Sequence, residues 1–135
     1  MNKKISLTIV TPYGNYLKTT VDFIRLTTSL GVMGILPNHA PLITTVEVSE
    51  LLLRNNSEDM IYAVGGGLLN IKENGEVHLL VNSIESSNEI DIERALEAKK
   101  RAEALIESTA DENDVTKAKT ALARALNRIS IYNKK

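Results

Sequence analysis

The chain has 135 residues, and its 16 basic and 17 acidic side chains leave a net charge of -1, so it lacks the basic excess of a dedicated nucleic-acid binder. It has no cysteine, which excludes disulfides and thiolate chemistry and suits a reducing compartment. No apolar run approaches the ~20 residues of a membrane-spanning helix, so any membrane association is expected to run through a partner.

Residue types divide the chain in two. All seven glycines and all three prolines precede residue 88, whereas nine of the eleven alanines follow it. The last 48 residues hold 19 charges and the first 87 hold 14. A β-branched half punctuated by Gly and Pro is thus followed by an Ala/Glu/Lys/Arg half. The expected domains are 1–87, a β-sandwich, and 88–135, a helical hairpin: an α+β chain, mainly β at the N-terminus.

In chain order, residues 4–10 alternate Ile5, Leu7 and Ile9 against Lys4, Ser6 and Thr8, a half-buried strand. Tyr13-Gly14-Asn15 is a turn, and residues 16–28 supply one or two strands. Gly31-Val32-Met33-Gly34 is expected to form a hairpin tip that exposes two apolar residues. Further strands are expected over 42–45, 46–54, 60–64, 68–71 and 76–81, with turns at 55–57 and 73–75. Short strands with a turn about every ten residues point to an antiparallel sandwich or barrel.

The second half reads as two helices of about 17 residues each. Asn88 is the expected N-cap of the first, with Asp91 in its first turn. Ile92, Ala95, Leu96, Ala102, Leu105 and Ile106 recur at helical steps. Residues 108–114 are polar, and Asp111 or Asn113 caps a second helix striped by Val115, Ala118, Leu122, Ala125, Leu126 and Ile129. The product is an antiparallel hairpin with an alanine seam. So thin a unit is marginal alone, and its stripe needs a second surface. It is either docked permanently or able to switch between surfaces.

No enzyme constellation is present. Two histidines and no cysteine give no paired metal-ligand spacing, and no nucleophile motif occurs. Gly65-Gly66-Gly67 lacks the Lys-Ser/Thr of a phosphate loop and reads as a bulge or tight crossing in a sheet. His39, held between Pro37 and Pro41, reads as a turn histidine bonded to nearby backbone. In the helical half, Asp91 and Arg94 share a face, Arg101 lies seven residues further on, and Arg124 and Arg128 are four apart. An antiparallel hairpin gathers Arg94, Arg124 and Arg128 near Asp91. Arginine forks suit phosphates and the carboxylate suits a hydroxyl or amine, so the two helices are able to clasp one anion. The competing reading is solvated surface charge.

Three stretches resemble one family. Gly31-Val-Met-Gly-Ile-Leu-Pro-Asn-His-Ala-Pro-Leu42 resembles the Gly-x-x-Gly-x-Leu-Pro-x-His-Ala-Pro-Leu signature of the epsilon subunits of bacterial F-type ATP synthases. Ala63-Val-Gly-Gly-Gly-Leu-Leu69 is similar to their Ala-Val-Ser-Gly-Gly-Phe-Leu stretch, and Ile90-Asp-Ile-Glu-Arg-Ala95 to the Ile/Leu-Asp-x-x-Arg-Ala motif of their nucleotide-binding members. The similarity spans nearly the whole chain in order. It implies a ten-stranded β-sandwich, a two-helix hairpin and a non-catalytic central-stalk subunit with no catalytic cofactor and no metal.

The implied partners are the gamma subunit, the membrane c-ring and the catalytic alpha/beta subunits. The implied place is peripheral, on the cytoplasmic face of the bacterial plasma membrane, with membrane contact only through the complex. The hairpin would fold onto the sandwich or extend along gamma toward the head and block ATP hydrolysis, with ATP as a regulatory ligand. By motif position Ile90, Asp91, Arg94 and Ala95 become ATP-binding candidates; Glu85, Arg101, Arg124 and Arg128 follow by spacing. Val32, Met33 and His39 become candidates for the subunit interface, although the family often has acidic residues where Val32 and Met33 stand. The alternative function is an ATP-sensing protein outside any rotary complex.

Overall fold

The computed structural model describes residues 3–109 and 111–134. It divides into a unit over residues 1–86 and a second over residues 87–135.

The first unit holds eight strands among the described residues: β1 (Ile5–Thr11), β2 (Gly14–Val21), β3 (Phe23–Thr28), β4 (Gly31–Ile35), β5 (Leu42–Asn55), β6 (Glu58–Ile71), β7 (Val77–Val81) and β8 (Ile84–Ser86). They run in the order β2-β1-β7-β6-β5-β3-β4, with β8 pairing to β6. All pairs are antiparallel except β1 with β7, which is parallel. The count is eight rather than the ten implied by resemblance. Two pairs of expected short strands fuse into β5 and β6, each 14 residues long.

These long strands keep one register from Leu42↔Ile71 to Asn55↔Glu58. Toward one end β6 pairs with β7, and toward the other it pairs with β8. Inward positions alternate down each strand. Ile5, Leu7 and Ile9 of β1 share the core with Leu69 and Ile71 of β6 and with Val77 and Leu79 of β7. Ile24 and Leu26 of β3 meet Leu51 and Leu53 of β5 in the same cluster.

The glycine triplet explains why β6 carries three residues without side chains. A Cβ on Gly67 would lie 1.9 Å from the Leu80 carbonyl oxygen, and one on Gly65 would lie 2.2 Å from Ser83 Oγ. Here the chain after β7 crosses β6 closely, with Gly65 N–H donating to Ser83 O and Asn82 N–H to Gly66 O, both at 2.9 Å. The tight-crossing reading of the triplet therefore holds.

Two hairpins use one device. In Thr11-Pro12-Tyr13-Gly14 and in Thr28-Ser29-Leu30-Gly31, the threonine hydroxyl donates to the glycine carbonyl and accepts the N–H of the residue before that glycine. Both glycines have positive φ, +116° and +114°. The β3–β4 tip is therefore Ser29-Leu30, and the expected tip at 31–34 is corrected to strand β4. Alternation then sends Val32 outward, 71% exposed, while Met33 packs against the core.

The turn ends of β2 and β5 are tied by charge. Lys4 Nζ donates to the side-chain oxygens of Asn55 and Asn56 and lies 3.0 Å from Asp22 Oδ1. Asp22 also accepts the Asn56 N–H at 2.8 Å. That backbone bond, then Lys4, holds the Asp22 carboxyl below its ordinary value.

The second unit holds α1 (Ile92–Ser108) and α2 (Glu112–Asn133), which pack on each other. The cap of α1 is Asp91, which accepts the Arg94 N–H at 3.2 Å, rather than Asn88. The reason is spacing: the capping oxygen must reach the N–H two or three residues on, and the helix begins at Ile92. Asp111 caps α2, accepting the Asn113 N–H at 2.8 Å. No glycine ends α1; Thr109 leaves it in extended backbone, and its hydroxyl accepts the Asp111 N–H at 3.2 Å. α2 runs 22 residues, five longer than α1. Ala95 and Ala102 of α1, and Ala118 and Ala125 of α2, are buried. Each pair is seven residues apart, two helical turns, which lines one face with methyl groups and lets the helices approach closely.

Three outcomes follow. Gly67→Ala is expected to lower unfolding free energy by about 3 kcal/mol, because the clash is with backbone and no rotamer relieves it; denaturant midpoints measure it. Asp22 stabilises the fold fully at pH above its unfolded value and loses that contribution as pH falls through its depressed folded value. Asp22→Asn should therefore flatten the acid limb of stability against pH, read from melting temperatures. Asp91→Ala should cost the hairpin about 1 kcal/mol, seen as lower helical circular dichroism at intermediate denaturant.

Candidate functional site

The helical unit concentrates the candidate residues at one end. Ile90 is buried at 6% exposure, Asp91 caps α1, and Arg94 and Ala95 lie in its first turn, with Arg94 exposed and Ala95 buried. On α2, Arg124 and Arg128 are one turn apart and half-buried. Position 110 lies midway between the buried alanines: Ala102 and Ala118 stand eight residues either side of it, and Ala95 and Ala125 fifteen. The same count sets Arg94 level with Leu126, so Arg124 and Arg128 bracket its height on the neighbouring helix. The hairpin end distant from residues 109–111 thus carries three guanidinium groups, the capping carboxylate of Asp91 and the first-turn carboxylate of Glu93.

The electrostatics favour an anion. The first turn of α1 presents the positive end of the helix dipole, and Asp91 occupies only part of its N–H donors. Arg124 Nε is buried with no hydrogen-bond partner. A guanidinium N–H kept from water without an acceptor is costly, and an oxygen ligand would relieve it. Arg101 is exposed two turns from Arg94 along α1, about 10 Å away, and is not gathered with the others. Glu85 stands on β8, opposite Ala63 of β6, and belongs to the first unit.

The remaining candidates lie in the first unit. His39 is half-buried, and its Nδ1 donates to Ala40 O at 2.7 Å, as expected of a turn histidine. Asn38 beside it has a φ of +68°. Val32 projects from β4 and Leu30, 80% exposed, from the adjoining tip, so the apolar projection is Leu30 with Val32 rather than Val32 with Met33. Among the described residues, no group of three His, Asp or Glu side chains is placed to hold a metal. No helix among them is long and apolar enough to cross a membrane.

One feature escapes sequence reading. A groove of about 350 Å³ opens between β2 and the β5–β6 hairpin, floored by Leu17, Val21, Leu53 and Met60 and rimmed by Asn55 and Glu58. Its walls come from strands far apart in sequence, so no local motif signals it.

Residues 4–87 match the family described as ATP synthase, Delta/Epsilon chain, beta-sandwich domain, and residues 88–133 match ATP synthase, Delta/Epsilon chain, long alpha-helix domain. The ATP synthase epsilon chain of Desulforamulus reducens is 39% identical over 129 residues, covering 96% of this chain and 97% of its own. That of Bacillus velezensis is 33% identical over the same shares. A chain of the Euglena gracilis mitochondrial ATP synthase, solved as OSCP/F1/c-ring, superimposes with a TM-score of 0.80 at 23% identity, covering 92% of this chain and 78% of its own. A chain of the Tetrahymena thermophila mitochondrial ATP synthase, central stalk/c-ring, gives 0.58 at 18% identity over 98% and 96%. At those identities the structures speak to fold alone. Two adjoining family matches, together with relatives similar along almost their entire length, establish that the chain belongs to the ATP synthase epsilon-chain family, as a non-catalytic subunit.

Proposed function

We propose that the protein is a central-stalk subunit of a rotary ATP synthase, peripheral to the membrane, whose helical hairpin restrains ATP hydrolysis and is governed by ATP. The β unit would bind the gamma subunit and rest on the c-ring, with Val32, Leu30 and the His39 loop as the contact region. The interior packing of Met33 limits it to a supporting role there. The hairpin would reach toward the alpha/beta subunits, where its basic α2, bearing Lys117, Lys119, Arg124 and Arg128, suits an acidic surface.

The observation that carries the ATP reading is the buried, unpartnered Nε of Arg124 at the hairpin end that also holds Asp91, Arg94 and Arg128. In this reading the arginines take the phosphates, Asp91 takes a hydroxyl or base amine, and Ile90 and Ala95 supply apolar contact. Arg101 acts at longer range. The charges are sufficient without a metal ion, since guanidinium forks neutralise phosphate directly. ATP that binds only the closed hairpin stabilises it by about 2.7 kcal/mol at about a hundred times Kd. A few kcal/mol is enough to shift a nearly balanced two-state element.

Titration of the full chain with ATP, followed by heat and thermal shift, tests the reading. Binding should weaken by about tenfold in Arg124→Ala or Arg128→Ala, and removal of residues 88–135 should raise hydrolysis by the assembled enzyme. No thermal shift at saturating ATP would remove the ligand. Equal hydrolysis by the truncated and full-length complexes would remove the inhibitory role.

A further inference from the structure

Asparagine followed by glycine occurs once in the chain, at Asn74-Gly75, in the turn that joins β6 to β7. The turn is closed by Lys72 N–H donating to Glu76 O at 2.9 Å and by Gly75 N–H donating to Lys72 O at 3.0 Å. Asn74 is exposed. Gly75 has a φ of +91°, and a Cβ there would meet nothing within 4 Å, so no side chain crowds its peptide nitrogen, whose N–H is held by the turn contact to Lys72 O. Asn74 Oδ1 accepts the Glu76 N–H at 3.0 Å. That bond folds the side chain back over its own downstream backbone, which brings Cγ toward the Gly75 nitrogen, and it draws electron density from the amide carbonyl.

We propose that Asn74 is a site of spontaneous amide loss through a cyclic imide. When its bond to Lys72 O opens, the Gly75 nitrogen gives its proton to solvent and attacks Asn74 Cγ. The new N–Cγ bond closes a five-membered succinimide, the Cγ–Nδ2 bond breaks, and Nδ2 leaves as ammonia. Water then adds to either imide carbonyl, yielding aspartate or the β-linked isoaspartate. Water is the one co-reactant, and nothing is oxidised or reduced.

The two Asn-Ser sites are less suited. At Asn56 the attacking nitrogen belongs to Ser57, whose side chain crowds it as glycine does not, and Lys4 holds the Asn56 side-chain oxygen. At Asn82 the attacking nitrogen belongs to Ser83, whose side chain is packed against Gly65 and whose carbonyl accepts the Gly65 N–H. Reaction at Asn74 adds one carboxylate between Glu73 and Glu76, and Glu76 lies 3.3 Å from His78 Nε2. The turn becomes more acidic, while the ladder from Ile71↔Val77 onward is left intact.

The test incubates the full chain, folded, in mildly alkaline buffer, with peptide mapping by mass spectrometry that resolves aspartate from isoaspartate. Position 74 should convert several-fold faster than positions 56 and 82, giving both products. Asn74→Gln, whose longer side chain cannot close the five-membered ring, should abolish the charge-shifted species. The proposal is overturned if position 56 or 82 converts first, if position 74 yields aspartate without isoaspartate, or if the shifted species persists in Asn74→Gln.

Discussion

The β unit depends on one steric constraint: the end of β7 passes β6 so closely that the backbone of Leu80 and Val81 leaves no room for a Cβ at Gly67, and the Ser83 hydroxyl of the following turn lies against Gly65. That passage lets β6 serve β7 toward one end and β8 toward the other while its 14-residue pairing with β5 stays in a single register. A β-strand with three central glycines gives up side-chain packing and backbone entropy. Here the loss is offset by two backbone hydrogen bonds at the crossing and by the continuous core that the long strands span.

The hairpin depends on a related economy of volume. Buried alanines two turns apart on each helix bring the backbones together, but each buries little apolar surface. The unit is therefore held by helix propensity, two aspartate caps and a thin seam. Its remaining surface is largely charged, with Leu96, Leu105 and Leu126 also exposed, and both helices present arginine at one end.

Function on this chain resides in placement rather than in reactive groups. Its histidines make local contacts to Ala40 and Glu76. What distinguishes it is an exposed apolar tip on one unit and an arginine-bearing end on the other. Neither is a reactive centre, in keeping with a non-catalytic subunit.

Composition alone located the change from β to α, because glycine and proline stop where alanine begins, and each bias acts locally on backbone freedom. Alternation showed which face of β1 is buried, and helical steps found Ala95, Ala102, Ala118 and Ala125. The motif over residues 90–95 drew attention to Asp91 and Arg94, although only the helix start at Ile92 makes Asp91 the cap in place of Asn88. Other features depended on contacts between residues distant in sequence, which local patterns do not encode. The fusion of short strands into β5 and β6, the parallel β1–β7 pair and the groove beside β2 are of this kind. So is the buried Arg124 Nε, since spacing shows that two arginines share a face but not that one loses its water. The Leu30 tip was missed for a different reason. Its Thr-x-x-Gly signal was present twice in the sequence, but the direction in which Val32 and Met33 point is set only once β4 is registered against β3.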